Sequence, residues 1–346
     1  MNIALRFLVT HWRRLPLEEF RVPSRLSCIM ATPRFRASSH VILFVFADGE
    51  SDPILVMKVP RLPGDNARLD LEAANLRKLH ATRFGGFHSI PRVVACEDYY
   101  NNRLLLETAL QGQTMSPALV RRRPKVCIEV VLAWLVNLHL ATGIRNGDDR
   151  RWFERSALHP LERFGSAFRI SPEERHLIEQ TRNLITPLQD QDLPLVFEHG
   201  DLSSPNILIQ ENGCPGVVDW ELAEPRGLPA VDLFFFLTYI AFARRRARKP
   251  EDYMTAFHEA FFGPEAWARS FVIRYAEALK LPTEALNPLF VLCWSRYVSS
   301  ILMRLNDPNP HSTILKDPTA AWLRSNRYYA LWRYTVKHVK ELNLAS

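Results

Sequence analysis

The stretch from Phe197 to Glu221 constrains this chain more than any other, because short apolar runs alternate there with oxygen-bearing side chains at fixed intervals. Leu195-Val196-Phe197 reads as a strand leading into a loop that carries Asp201, and Ile207-Leu208-Ile209 reads as a second strand directly after Asn206. The turn residues Glu211-Asn212-Gly213 return the chain to a third strand, Gly216-Val217-Val218, so the hairpin brings Asp219 back beside Asn206. Such a set suits phosphoryl transfer, which asks for a carboxylate to orient a hydroxyl and take its proton, and for hard oxygen ligands to hold magnesium against phosphates. Asp201 fits the first task, Asn206 and Asp219 the second. Asp201 and Asn206 alone are what any turn uses; the second aspartate, placed after a strand, lifts the set above chance.

His199-Gly200-Asp201 with Asn206, followed by Asp219-Trp220-Glu221, resembles the catalytic loop and metal motif of the aminoglycoside phosphotransferase and choline kinase-like family of small-molecule kinases. Protein kinases carry His-Arg-Asp and Asp-Phe-Gly at the corresponding places, so Gly200 and Trp220-Glu221 favour the small-molecule branch. The resemblance runs over about residues 25 to 300, with its specific motifs between Glu198 and Asp232. It implies an α+β, bilobal protein-kinase-like fold: a small N-lobe with a five-stranded antiparallel sheet plus a helix, and a larger, mainly helical C-lobe. The implied reaction is magnesium-dependent transfer of the γ-phosphoryl group of ATP, with GTP as the alternative donor, to a hydroxyl. Asp201 would be the catalytic base, Asn206 and Asp219 would hold Mg2+, and His199 and Asp232 would brace the loop.

Upstream, Pro53 to Val59 reads as a strand with Lys58 embedded in it, either an edge-strand charge or a functional group. By resemblance Lys58 contacts the α and β phosphates. Leu69 to His80 has helical periodicity, and Glu72 within it is, by itself, an ordinary solvated helix carboxylate; the resemblance makes it the partner that orients Lys58. Between the first two strands, where related enzymes often have glycines over the phosphates, stands Ala31-Thr32-Pro33-Arg34-Phe35-Arg36-Ala37-Ser38-Ser39, with no glycine. Ser38 and Ser39 are the expected phosphate donors there, with Arg34 or Arg36 adding charge.

Strands are expected at 25–30, 40–46, 54–59, 92–97 and 103–107, the second and third joined by a turn at Asp48-Gly49. Thr108 to Gly112 reads as a hinge whose backbone, around Glu107 and Ala109, would bind adenine. The expected organisation is a nucleotide-binding lobe over 1–107, with an N-terminal helical extension, and a lobe over 108–346 with the catalytic loop, metal site and acceptor site. Val126 to Leu140 is a long core helix with Val131, Leu135 and Leu138 on one face, and His139 is a structural helix-end residue. Residues 288–305 and 320–342 carry further aromatic-rich helical patterns.

The apolar stretches 2–9 and 233–243 are too short to span a bilayer, so no transmembrane segment is expected and the second reads as a buried helix. Five scattered cysteines without a Cys-x-x-Cys pair point to a reducing, cytoplasmic setting and away from zinc or a disulfide framework. Lys and Arg exceed Asp and Glu by 44 to 37, with basic runs at Arg121 to Arg123 and Arg244 to Lys249. Such runs are ordinarily solvated faces. A cleft for polycationic aminoglycosides should be acidic, so the expected partner is a neutral or anionic hydroxylated small molecule, with aminoglycoside resistance disfavoured and no nucleic acid. The rival is a catalytically silent binding protein of the same fold that uses its basic surface on nucleic acid or anionic lipid. A protein-kinase reading loses ground because no Ala-Pro-Glu segment follows Asp219.

Overall fold

The structure is a computed structural model and describes residues 2–32, 40–82, 87–145, 147, 149, 151–305, 317–342 and 344. Ser38, Ser39, Arg34 and Arg36 lie outside the described residues. In chain order come α1 (Ile3–His11), β1 (Leu26–Ala31), β2 (His40–Ala47), β3 (Leu55–Pro60), α2 (Ala67–Ala81), β4 (Val93–Tyr99), β5 (Asn102–Thr108), β6 (Gln113–Thr114), α3 (Pro117–Arg122), α4 (Pro124–Thr142) and β7 (Ile144–Arg145). They are followed by α5 (His159–Ser166), α6 (Pro172–Ile185), β8 (Pro194–Glu198), β9 (Ile207–Ile209), β10 (Pro215–Val217), β11 (Glu224–Gly227) and α7 (Val231–Arg245). The last helices are α8 (Pro250–Phe261), α9 (Arg269–Leu279), α10 (Leu286–Leu305), α11 (Asp317–Arg324) and α12 (Arg327–Lys337). They form two compact units, one of residues 1–114 with 206–223, the other of 115–205 with 224–346.

The first unit is built on an antiparallel sheet of order β1-β2-β3-β5-β4. Alternation along the strands decides which side chains meet. Leu43 and Val45, Leu55 and Met57, and Leu104 and Leu106 all point to one face, where they are buried with Ala4, Phe7, Leu8 and Trp12. The apolar stripe of α1, whose N-terminus is capped by the Asn2 side chain, thus closes one side of the sheet. The opposite face carries Leu105, packed with Leu69 and Ala73 of α2. Lys58, one residue on from Met57, and Glu107, one on from Leu106, share this second face. Lys58 lies on an interior strand, paired with Ile42 and with Leu105, so it is no edge charge. The β9-β10 hairpin belongs to the same unit, and β9 also pairs with β6. Its second strand runs Pro215–Val217, one residue earlier than the expected 216–218; the Val218 N–H donates instead to the Asn206 carbonyl at 3.0 Å.

The second unit is mainly helical, with a small sheet of order β11-β8-β7. Alpha-7 is its axis: Leu233, Phe234, Phe236, Leu237 and Ile240 are fully buried, and Phe234 meets Phe290 of α10 edge to face at 4.9 Å. Among the described residues one helix, α4, is long and apolar enough to cross a membrane by length and composition. Its Val131, Leu135 and Leu138 are fully buried, and it packs on α7, α9 and β8 within this unit. The pattern over 320–342 is two helices rather than one, because the Asn326 side chain accepts the Tyr328 N–H and starts α12 anew.

Candidate active site

In the first unit, one ammonium faces three carboxylates. Lys58 Nζ lies 2.5 Å from Glu72 Oε1, 3.4 Å from Asp219 Oδ1 and 4.0 Å from Glu107 Oε2. Lys58, Glu72 and Glu107 are buried, while Asp219 keeps 31% of its side chain exposed. Glu72, an ordinary helix carboxylate by sequence, is therefore a core group whose burial is offset by Lys58. The same Glu72 Oε1 accepts the Trp220 N–H at 2.9 Å, and Asn75, one turn along α2, donates to the Ala223 carbonyl at 2.8 Å. This i, i+3 pair ties the segment after Asp219 to α2. Trp220, wholly buried, locks it further through its indole N–H to the Val217 carbonyl. Asp219 itself takes a left-handed φ of 70°, an uncommon state for a residue other than glycine and one that such anchoring sustains.

The charges titrate as this crowding requires. Burial works against the Lys58 ammonium, but Glu107, Glu72 and Asp219 outweigh it and hold its pKa well above the usual lysine value. Burial raises Glu72, against the pull of Lys58. Burial, with Glu72 and Asp219 adding to it, pushes Glu107 up to about 8 despite Lys58. Because that folded value lies above the ordinary 4.5, Glu107 stabilises the fold fully below about 4.5, and the contribution is lost as pH climbs through about 8. Glu107→Gln, which keeps the shape but cannot ionise, should flatten the fall of melting temperature across that interval. An unchanged slope would mean that Glu107 is ionised throughout.

The donors here suit a hard divalent cation, since Asp219 and Asn206 both offer oxygens. Asp219 is the accessible member of the group. Nearby, donor atoms of His40, Asp219 and Glu221 lie within 4.8 Å of one another, and Arg68 stands 3.9 Å from Glu221.

The hinge differs in part from expectation. The Ala109 N–H donates to the Ile54 carbonyl at 3.0 Å and the Thr108 N–H to the Arg92 carbonyl at 2.9 Å, so neither is an available donor, and the Glu107 side chain turns inward to Lys58.

In the second unit, Asp232 at the start of α7 organises the loop that bears Asp201. Its two oxygens accept the His199 N–H at 2.7 Å and the Gly200 N–H at 2.9 Å. Gly200 has φ 79°, where a side chain would be strained. The Asp201 N–H donates to His199 Nδ1 at 3.2 Å, so the buried ring carries its proton on Nε2. Burial opposes ionisation of Asp232, but His139, His199 and the donated backbone hydrogens hold its pKa below the usual range. His139 stands 3.8 Å from Asp232 and hydrogen-bonds Tyr275 at 2.6 Å, a structural role as expected. Tyr275 in turn accepts the N–H of Ala230, whose φ of 66° turns the chain into α7.

Two further groups had no signal in sequence. Glu198, just before the loop, receives Arg296 of α10 at 2.8 and 3.0 Å and the Leu228 N–H at 2.8 Å. Gly227 is obligatory beside it, since a Cβ there would lie 2.3 Å from that of Glu198. Tyr297, one residue after Arg296, donates to Asp201 Oδ1 at 3.3 Å.

The model of the Phosphotransferase enzyme family (APH) matches residues 38–269. The chain belongs to this family. No curated protein sequence matches it. Similar solved structures include an ethanolamine kinase of Plasmodium vivax, 12% identical over 96% of this chain and 90% of that one, with a TM-score of 0.55. A choline/ethanolamine kinase family protein from Mesorhizobium loti is 15% identical over 98% and 99%, with a TM-score of 0.52. A thermostable mutant of aminoglycoside phosphotransferase APH(4)-Ia, in a ternary complex with ADP and hygromycin B, is 15% identical over 95% and 97%, with a TM-score of 0.53. At such identities the likeness is one of fold, and it agrees with the protein-kinase-like architecture of a small sheet-and-helix unit and a larger helical one.

Proposed function

We propose that this phosphotransferase moves the γ-phosphoryl group of ATP to a hydroxyl of a neutral or anionic small molecule. Residues 1–107 would form the nucleotide lobe, and 108–346 would supply the catalytic loop, metal site and acceptor site, although the hairpin with the metal-holding Asn206 and Asp219 belongs to the first compact unit. The observation that carries the reading is the Lys58–Glu72 pair, buried within one charge cluster with Asp219. A lysine so held has its ammonium fixed and charged, ready for the α and β phosphates. Asp201 orients the acceptor hydroxyl and takes its proton, while His199 and Asp232 hold the loop backbone. Magnesium, held by Asn206 and Asp219, would neutralise phosphate charge as it develops.

The solved relatives include kinases named for ethanolamine and a phosphotransferase holding ADP with hygromycin B, which supports a small acceptor. The basic charge balance argues against a polycationic one. The five free cysteines fit the cytoplasm.

The test is nucleotide binding with and without magnesium. Lys58→Ala should weaken ATP by about ten- to a hundredfold, the weight of a charged hydrogen bond, and leave adenosine nearly unchanged. Equal losses for both would remove Lys58 from the phosphates. Absence of magnesium-dependent binding in the unaltered protein would leave the silent binding protein as the better reading.

A further inference from the structure

We propose that the acceptor carries an oxyanion, a carboxylate or a phosphate, which binds in an arginine-lined cavity of the second unit anchored by Arg327. The word acceptor rests on the function proposed above; the anion site does not.

The cavity has a volume of 470 Å³, within the range of small-ligand pockets. Among the described residues, Arg121, Arg246, Arg248 and Arg327 line it, and no acidic residue does. The two basic runs, ordinary solvated faces by sequence, are thus divided by the fold. Arg244 stacks over Trp267 at 4.5 Å and Arg245 pairs with Glu259, whereas Arg246, at the left-handed end of α7, and Arg248 turn to the cavity. Arg121 of α3 joins them from a distant part of the chain. Among the described residues, none of the four guanidiniums has a carboxylate within ion-pair distance, and the Asp252 carboxylate accepts the Arg248 backbone N–H at 3.2 Å.

Arg327 decides the sign of the ligand. Its guanidinium lies over the rings of Tyr328, Tyr253, Phe242 and Tyr239 at 4.9, 5.0, 5.6 and 5.7 Å. Its hydrogen bonds are to phenols, Tyr328 at 3.0 Å and Tyr239 at 3.4 Å. Aromatic rings gathered in this way can hold a quaternary ammonium ligand, but here the protein's own cation fills them. A half-buried guanidinium without a counter-ion is costly, and an entering carboxylate or phosphate would relieve that cost through a bidentate contact.

The position suits an acceptor. Ser204 of the catalytic loop lines the cavity. From the wall, Tyr239 hydrogen-bonds Tyr328 at 2.6 Å, the Tyr328 ring lies 4.6 Å from that of Tyr297, and Tyr297 reaches Asp201. The cavity wall is thus in contact, through Tyr328 and Tyr297, with the carboxylate assigned to the hydroxyl, and the catalytic loop itself reaches the cavity at Ser204.

The experiment is calorimetric titration of the full chain, without nucleotide, using D-glycerate, sn-glycerol 3-phosphate and choline. Both anions should bind and choline should not; the tighter anion identifies the oxyanion. Arg246→Ala with Arg248→Ala, at exposed positions the fold does not need, should weaken the anions by about tenfold or more. Failure of both anions to bind at millimolar concentration, choline binding as well as they do, or affinity unchanged in the double variant would each overturn the proposal. Transfer from ATP is assayed separately. Anion binding without transfer would retire the kinase reading and keep the site, whereas transfer to neutral alcohols without anion binding would do the reverse.

Discussion

Asp201→Asn should lower phosphoryl transfer by about two to four orders of magnitude, the range for losing a positioned general base, while nucleotide affinity stays within about twofold of the unaltered protein. The substitution keeps side-chain size and still lets Tyr297 donate to an oxygen, as it does to Oδ1 at 3.3 Å. It removes the charge that orients a hydroxyl and takes its proton. The loop itself should survive, because Asp232 and the His199 ring accept its backbone N–H groups. Rate and ATP affinity measured side by side decide the matter. Near-normal turnover in this variant would remove Asp201 from the chemistry.

Arg296→Leu should destabilise the fold by about 3 to 5 kcal/mol, the cost of stripping one partner from a buried ion pair. Arg296 keeps 10% of its side chain exposed and Glu198 5%, and beyond Glu198 the arginine also holds Glu224 at 3.1 Å. Burial has already pushed Glu198 up to about 7 despite Arg296, which pulls it down. A folded value above the ordinary 4.5 means that the contribution of Glu198 is whole in acid and is lost as pH rises through about 7. Without Arg296 the value climbs further, so the penalty should be larger at alkaline than at acid pH. Denaturant melts on the two sides of that value measure it. A pH-independent penalty would assign the loss to packing alone. Glu198→Leu added to Arg296→Leu should recover part of the stability but not all, because the Leu228 N–H would lose its acceptor.

Much of the architecture was legible because its causes are local. The short apolar runs over 40–46, 54–59 and 103–107 specified three strands that the structure has as β2, β3 and β5, and the apolar stripes of α1 and α4 marked their buried faces. The break at Asn326 was harder to read, since aromatic residues continue on both sides and only the cap distinguishes two helices from one. The positions of Asp201, Asn206 and Asp219 in their loop and hairpin likewise follow from strand and turn signals close by.

What sequence by itself determined was therefore the set of elements, the family motifs and the order in which Lys58, Glu72, Asp201 and Asp219 occur. Tertiary structure alone decided which charges keep company. Glu72 is a buried partner instead of a solvated one because β3 and α2 pack face to face, and Glu107 turns to Lys58 because strand register puts both on that face. Arg296 finds Glu198 across 98 residues, and Arg121, Arg246, Arg248 and Arg327 converge on one cavity while Arg244 and Arg245, of the same basic run, turn elsewhere. The physical reason is common to all of these. A local pattern reports the preference of a short segment for helix or strand, whereas a charge's energy depends on burial and on neighbours at a few ångströms, and long-range packing sets both.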